Sequence, residues 1–321
     1  MRREIITWSV VAALIVGAFA GTVLILNSSL YSASGFVRAY LDALARDDAE
    51  GALELAGFTD STDASAELLT RDAMGELSGI RLIGDESDAS GLHHVVYAWT
   101  ADGVAGQSTF EVRRTGTLLA FFPTWSFETS PLATIELDVQ HDDRFSANGL
   151  ELVTPNENGP ASYLAFTPAT YEFTHETEFL TANPETVTAT TPGSVVPAKL
   201  DVQANAKFVA AAQAAVNKAL DDCTTQKVLL PTGCPFGQEI SNRIVTDPVW
   251  SMITYPVVAV DPGAQLGQWR MPPAAATAHL VVDVKSIFDG SVSTLDEDVP
   301  FTVGYTISLL PDGEIIVSAT F

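Results

Sequence analysis

The sequence predicts an α+β protein with one N-terminal transmembrane helix and two domains of like build, each a helical layer followed by a curved antiparallel sheet, flanking a small all-β domain. Three observations carry this. The 22 residues from Ile5 to Leu26 hold no charge. Apolar residues then recur at helical spacing and give way to strand-like alternation, and this change of texture happens twice. Between the two occurrences lies a stretch, residues 131–184, with strand and turn signals and no helical period.

At ~1.5 Å per residue the first run is long enough for the ~30 Å hydrocarbon core. Arg2 and Arg3 precede it and no Lys or Arg follows until Arg38. That bias places residues 1–4 in the cytoplasm, residues 5–26 in the cell membrane as a single-pass signal anchor, and the rest outside. The run exceeds the ~7 to 15 apolar residues of a cleaved signal, so a retained anchor is expected, although Ser32-Ala33-Ser34 would suit a signal peptidase. Ala13, Gly17 and Gly21 stand four apart. Small residues are common in membrane helices, and the spacing is read that way rather than as a dimer motif.

Setting aside Arg2, Arg3 and Glu4 from 16 basic and 40 acidic residues leaves 14 against 39, a net charge of −25. Such acidity excludes nucleic acid as a partner. It equally disfavours anionic lipid, so the exterior part is expected to stand off the bilayer surface. Hydrophobic residues make up 47% of the chain, enough to build cores and to argue against a disordered stalk. The heavy use of Ala over Lys resembles proteins of high-GC bacteria. Cys223 and Cys234 are the only cysteines. Outside the cell such a pair is read as a disulfide, since two thiols make no zinc site and the spacing is not C-x-x-C.

Asn27 to Ser34 is a short tether, so the first domain, residues 34–128, sits close to the anchor. Phe36, Val37, Tyr40, Leu41 and Leu44 form an amphipathic stripe. Asp48 caps a second helix carrying Ala52, Leu53 and Ala56 up to Gly57, and a third helix is expected over Ala64 to Leu77 after the polar turn Thr59 to Asp63. Strands are expected next over Ile80 to Ile83, Leu92 to Ala101, Gln107 to Arg114 and Leu118 to Phe127, with turns at Gly91, Asp102-Gly103 and Thr115-Gly116. The run from Phe36 to Leu53 together with that sheet resembles the nuclear-transport-factor-two-like (cystatin-like, cone-shaped) superfamily over residues 34 to 127. The resemblance implies a cone of helices on a curled sheet just outside a bacterial membrane, with either a filled core or a pocket inside.

Strands are expected at Leu132 to Val139, Leu150 to Val153, Tyr163 to Phe166 and Ala169 to Phe173, with turns at Asn148-Gly149 and Asn158-Gly159. Thr and Pro then mark residues 185–199 as a linker. The second cone-like domain, residues 200–321, opens with a helix bearing Phe208, Val209, Ala212, Ala215, Val216, Ala219 and Leu220. It continues through the disulfide loop to strands at Trp250 to Val260, Ala278 to Phe288, Val299 to Leu310 and Glu314 to Phe321. His279-Leu280-Val281-Val282 running to Asp289-Gly290 echoes His94-Val95-Val96-Tyr97 running to Asp102-Gly103.

The sequence holds no G-x-S-x-G, S-x-x-K, H-E-x-x-H or G-x-x-x-x-G-K. It calls for no catalytic residue, no cofactor and no metal. His93, Tyr97 and Trp99 stand an even number of residues apart and so share one strand face, the candidate ligand pocket of the first cone, while His94 points the other way. A His and a Tyr facing a pocket suit proton transfer. A surface or edge His with aromatic core neighbours accounts for the same residues, and is preferred because no partner carboxylate is placed by sequence. Phe121, Phe122, Trp125 and Phe127 allow either an aromatic mouth for an apolar ligand or packing of the last strand. His141-Asp142-Asp143 with Asp138, and His175-Glu176 with Glu178, lack calcium-ligand spacing and are read as solvated acidic loops. Asp296-Glu297-Asp298 is read as a charged hairpin turn.

These features point to a non-catalytic extracytoplasmic binding or assembly module. Its partners would be the cell membrane, through Ile5 to Leu26, and an envelope protein. The other reading is a cone-pocket enzyme of isomerase or hydrolase type, or a carrier of a small apolar ligand.

Overall fold

The computed structural model describes residues 2–59, 63–155, 159–310 and 313–320, and within the first helix the side chains of Trp8 and of residues from 13 onward. The loop from Thr59 to Asp63, the turn at Asn158-Gly159 and the end of the last strand at Phe321 lie partly outside the described residues. The protein mixes α and β, mostly strands, with four α-helices and several sheets among the described residues. By contact the chain divides into two units, Met1–Asp138 with Phe145–Phe173 and Pro184–Lys199, and Val139–Arg144 with Thr174–Asn183 and Leu200–Phe321.

The first unit begins with helix α1 (Arg2–Ser28), α2 (Ala33–Leu44) and α3 (Ala49–Ala56). From Leu14 to Ile25 the large apolar side chains of α1 are exposed, Leu24 by 70% and Ile25 by 69%. Among the residues whose side chains are described, no single helix is long and apolar enough to cross a membrane. The pair Ala13–Ser28 and Ala33–Leu44, bent by 60°, meets that length and composition together. Helix α2 starts where the Ser32 hydroxyl accepts the Gly35 amide at 2.9 Å. A side chain at Gly35 would meet the Ser29 carbonyl, so glycine lets the two helices turn this closely. Asp48 caps α3 by accepting from the Gly51 amide, and Gly57 ends it in the left-handed conformation.

The stripe read from sequence is the one that packs: Val37, Tyr40, Leu41 and Leu44 are buried, each worth roughly 1.5–3 kcal/mol. They lie on a four-stranded antiparallel meander, β1 (Leu77–Ser87), β2 (Leu92–Ala101), β3 (Val104–Leu118) and β4 (Phe122–Phe127). The third expected helix is absent. Residues 64–76 bury Leu68, Leu69 and Ala73, and Ser65 donates its amide to the Ser162 carbonyl while accepting from the Leu164 amide. Ser65, bonded on both sides to that distant strand, has no backbone groups left for a helical ladder, and only Arg71–Ala73 forms a short 3₁₀ turn.

Strands β5 (Leu132–Gln140), β6 (Arg144–Ala147), β7 (Leu150–Val153), β8 (Ala161–Phe166), β9 (Ala169–Thr174), β10 (Leu180–Ala182), β11 (Glu185–Ala189) and β12 (Val195–Ala204) come next along the chain. Within the first unit β5 pairs with β8, and β11, β9, β6 and β7 are neighbours in a second sheet. Phe145 of β6 meets Tyr163 of β8 edge to face at 5.6 Å, which joins the inner faces of these two sheets. Residues 185–199, expected as a linker, are strand along much of their length. Val187 and Ala189 are buried while Thr186 and Thr188 alternate with them, so a segment rich in Thr serves as an ordinary half-buried strand.

In the second unit, helix α4 (Ala206–Thr224) is capped by Asn205 and buries Phe208, Ala212, Val216, Leu220 and Cys223, one per turn. Its sheet contains β13 (Arg243–Ile244), β14 (Val249–Thr254), β15 (Asp261–Pro262), β16 (Gln268–Lys285), β17 (Val292–Leu309) and β18 (Ile315–Thr320). Helix α4 packs on β14 and β18, with Phe208 edge to face against Trp269 at 5.6 Å. Asp296-Glu297-Asp298 is not a turn. These residues lie inside β17 opposite His279, Leu280 and Val281, and His279 reaches both Asp296 (3.2 Å) and Asp298 (2.8 Å). The hairpin instead turns at Ser286 to Ser291, where Gly290 takes a positive φ.

Cys223 and Cys234 are joined by a disulfide, which ties the last turn of α4 to the loop after it. Closing a loop this short stabilises a domain by about 3 kcal/mol. Replacing Cys234 by Ser is therefore expected to lower the stability of the chain by about that amount, read as an earlier transition in denaturant unfolding.

Candidate functional site

Strand β2 alternates between a solvent-leaning and a buried face, and His93, Tyr97 and Trp99 share the latter side. Their burial differs: Tyr97 and Trp99 belong to the packed core, 3% and 2% exposed, whereas the His93 side chain is 27% exposed. The Tyr97 hydroxyl, the Trp99 indole N–H and one ring nitrogen of His93 each have a partner outside any pocket. His93 Nδ1 lies 2.7 Å from Asp85 on β1, and its ring packs edge to face on Trp125. The Tyr97 hydroxyl donates to the Ser34 carbonyl at 2.9 Å. Trp99 Nε1 donates to Ser108 Oγ at 3.0 Å, and Ser108 in turn donates to the Thr190 carbonyl.

The Trp99 indole lies across Gly106 on β3, its cross-strand neighbour, where an added Cβ would collide with the ring. Glycine is needed there so that the ring can fill the space. Desolvation, and less strongly Asp42 and Asp85, raise the Tyr97 phenol above its ordinary range against the opposing effect of Arg38, so it stays protonated at neutral pH. A neutral phenol bonded to a backbone carbonyl is a structural tie rather than a base.

The mouth aromatics divide in the same way. Phe127 packs in the core with Phe36, Tyr40 and Phe110. Trp125 donates its indole N–H to the Tyr31 carbonyl at 2.9 Å, and Phe122 stacks on Tyr31. Phe121 is half exposed.

The larger concavity is one that sequence reading missed. It is a groove of about 530 Å³ in the second unit, lined among others by Phe179, Leu309 and the buried Trp269 and by Asp142, Arg144 and Glu178. Asp142 is not the solvated residue expected: it is 7% exposed and paired with Arg144 through Nε (3.0 Å), Nη2 (2.9 Å) and the backbone amide (2.9 Å). His175, also expected to be solvated, is 5% exposed and its Nδ1 meets the Arg144 carbonyl. Burial pushes the Asp142 carboxyl up, but the Arg144 bonds and the nearby His175 outweigh it and leave the pKa below the usual carboxylate range. Trp269, Leu309 and Phe179 come from separate segments, so no local spacing could announce the groove.

Among the described residues, no group of three or more His, Cys, Asp or Glu side chains converges as metal ligands would. The groove combines apolar side chains with the Asp142–Arg144 pair, which suits binding of an amphipathic group. Comparison of the chain with family models, with curated proteins and with solved structures found no match.

Replacing Tyr97 by Phe leaves the Ser34 carbonyl without its donor and is expected to lower thermal stability by about 1 kcal/mol. For Asp142, a depressed folded pKa contributes stability above the ordinary carboxylate value and loses it as pH falls through the folded one. Melting measured against pH should therefore show a decline below about pH 4, and the Asp142→Asn variant should be less stable at neutral pH with a shallower acid decline.

Proposed function

We propose that this chain is a membrane-anchored, extracytoplasmic binding or assembly module of a bacterial envelope, built on two cone-like domains. The observation that carries it is α1. Leu14, Ile15, Val16, Phe19, Leu24 and Ile25 are each more than half exposed, which is costly in water and natural in a bilayer. With Arg2 and Arg3 before it and no positive charge until Arg38, the helix is oriented N-terminus in. In each unit an amphipathic helix packs on an antiparallel sheet, which supports the cone-like reading.

The binding part of the reading draws on the β16–β17 hairpin. At its turn Ile287 is 75% and Phe288 98% exposed, and Val292, Val245 and Ile244 are exposed at the same end of the ribbon. A cluster of this kind marks a protein contact more often than a bare surface. A second reading, a carrier of a small apolar or amphipathic ligand, draws on the Trp269 groove. Native mass spectrometry of the purified chain would favour it by finding a co-purifying small molecule.

The test is crosslinking in intact cells and then capture through a C-terminal tag, with a tagged anchor alone as control. The expected result is an envelope protein captured by the full chain and lost with Phe288→Ser. Capture of nothing beyond the control would count against the module.

A further inference from the structure

We propose that the tip of the β3–β4 hairpin, residues 118–121, inserts into the outer leaflet beside the anchor and makes a second, apolar contact with lipid. This rests on the reading of α1 as a membrane helix. From Thr115 to Phe127 the chain carries no charge, in a protein where 17% of residues are charged. At the tip Leu118, Leu119 and Phe121 are 50%, 74% and 50% exposed. Leu119 and Ala120 both hold left-handed backbone, with φ of 51° and 63°, where a hairpin ordinarily uses Asn and Gly. Apolar residues at these two positions do not help the turn; they serve an apolar surrounding.

The tip is fixed against α1 at two heights. Asn27, just past the apolar run, donates its side-chain amide to the Phe121 carbonyl at 2.9 Å. Further toward the N-terminus, the Phe121 ring meets Phe19 edge to face at 5.5 Å. Phe19 lies seven residues inside Leu26, ~10 Å along the helix, so its neighbour reaches below the headgroups if α1 spans the bilayer. Behind the tip stand Tyr31, stacked on Phe122 at 4.4 Å, and Trp125, whose indole N–H bonds to the Tyr31 carbonyl. Apolar residues at the tip and an amphipathic Tyr and Trp behind them match the gradient of the membrane interface.

An open hairpin end has backbone groups that hydrocarbon cannot satisfy, which confines the tip to the headgroup and upper acyl region. The bond from Asn27 relieves one such group. The acidity of the exterior part does not oppose this contact, because the inserted segment contributes no charge.

The test uses the full chain in phosphatidylcholine bilayers doped with nitroxide lipid, with a fluorophore on Leu119→Cys, Phe121→Cys, Phe19→Cys or Val104→Cys. Val104 lies at the opposite end of β3 and is the exterior control. The expected result is strong quenching at 19, 119 and 121, several-fold above that at 104. At 119 and 121 it should be greater with the nitroxide near the carbonyls than at the chain end, with little quenching by aqueous iodide. Quenching at 19 with 119 and 121 open to iodide would overturn the insertion and leave the anchor standing. No lipid quenching at 19 would overturn the anchor reading, and this inference with it.

Discussion

The first unit depends on the burial of Tyr40. Its ring lies in the seam between α2 and the meander, edge to face with Phe110 and Phe127, and its hydroxyl donates to the Pro131 carbonyl at 2.9 Å in a fully buried site. A phenol in such a place keeps its proton and can stay only if its hydrogen bond is made, so helix, sheet and the start of β5 are positioned together. From that seam α2 fixes where α1 arrives, and β4 fixes where the hairpin tip lies beside it. Helix α1 and the tip are thus set by the same core.

In both units, polar side chains pair with one another across strands and loops. His93 with Asp85, His279 with Asp296 and Asp298, and Arg144 with Asp142 each join a cation or potential cation to an acid. In a chain of net charge −24 the few cationic groups are valuable as neutralising partners. Exposed pairs add little stability, whereas the buried Asp142 needs its partner to remain charged. Large apolar side chains also face outward at the two hairpin ends, around Leu119 and Phe288.

Much of the architecture was legible because its signal is local. The stripe Val37, Tyr40, Leu41 and Leu44, the Asp48 cap, the Gly57 stop and the one-per-turn face of α4 all came from spacing alone. The misreadings share one cause. Residues 64–76 have helical residues, but Ser65 gives its backbone to β8; the Thr-rich segment 186–189 looks like a linker but finds a strand to pair with; Asp296 to Asp298 look like a turn but lie within β17, where Asp296 and Asp298 pair with His279. In each case a partner distant in sequence overrides local propensity. At the candidate pocket, spacing put His93, Tyr97 and Trp99 on one face correctly, yet could not say that Asp85, Ser34 and Ser108 would occupy their polar atoms.

The sequence by itself determined the uncharged run, the acidity of the remaining residues, the cysteine pair and the periodicity of the main helices and strands, because each is a property of composition or of short-range spacing. Only the tertiary structure decided that the interior of the first sheet is packed around Trp99 and Gly106, that Asp142 is buried with Arg144, and that Phe121 lies against Phe19. These arrangements are set by close packing and by the need to pair buried polar groups, largely between side chains far apart along the chain, and no local pattern contains them.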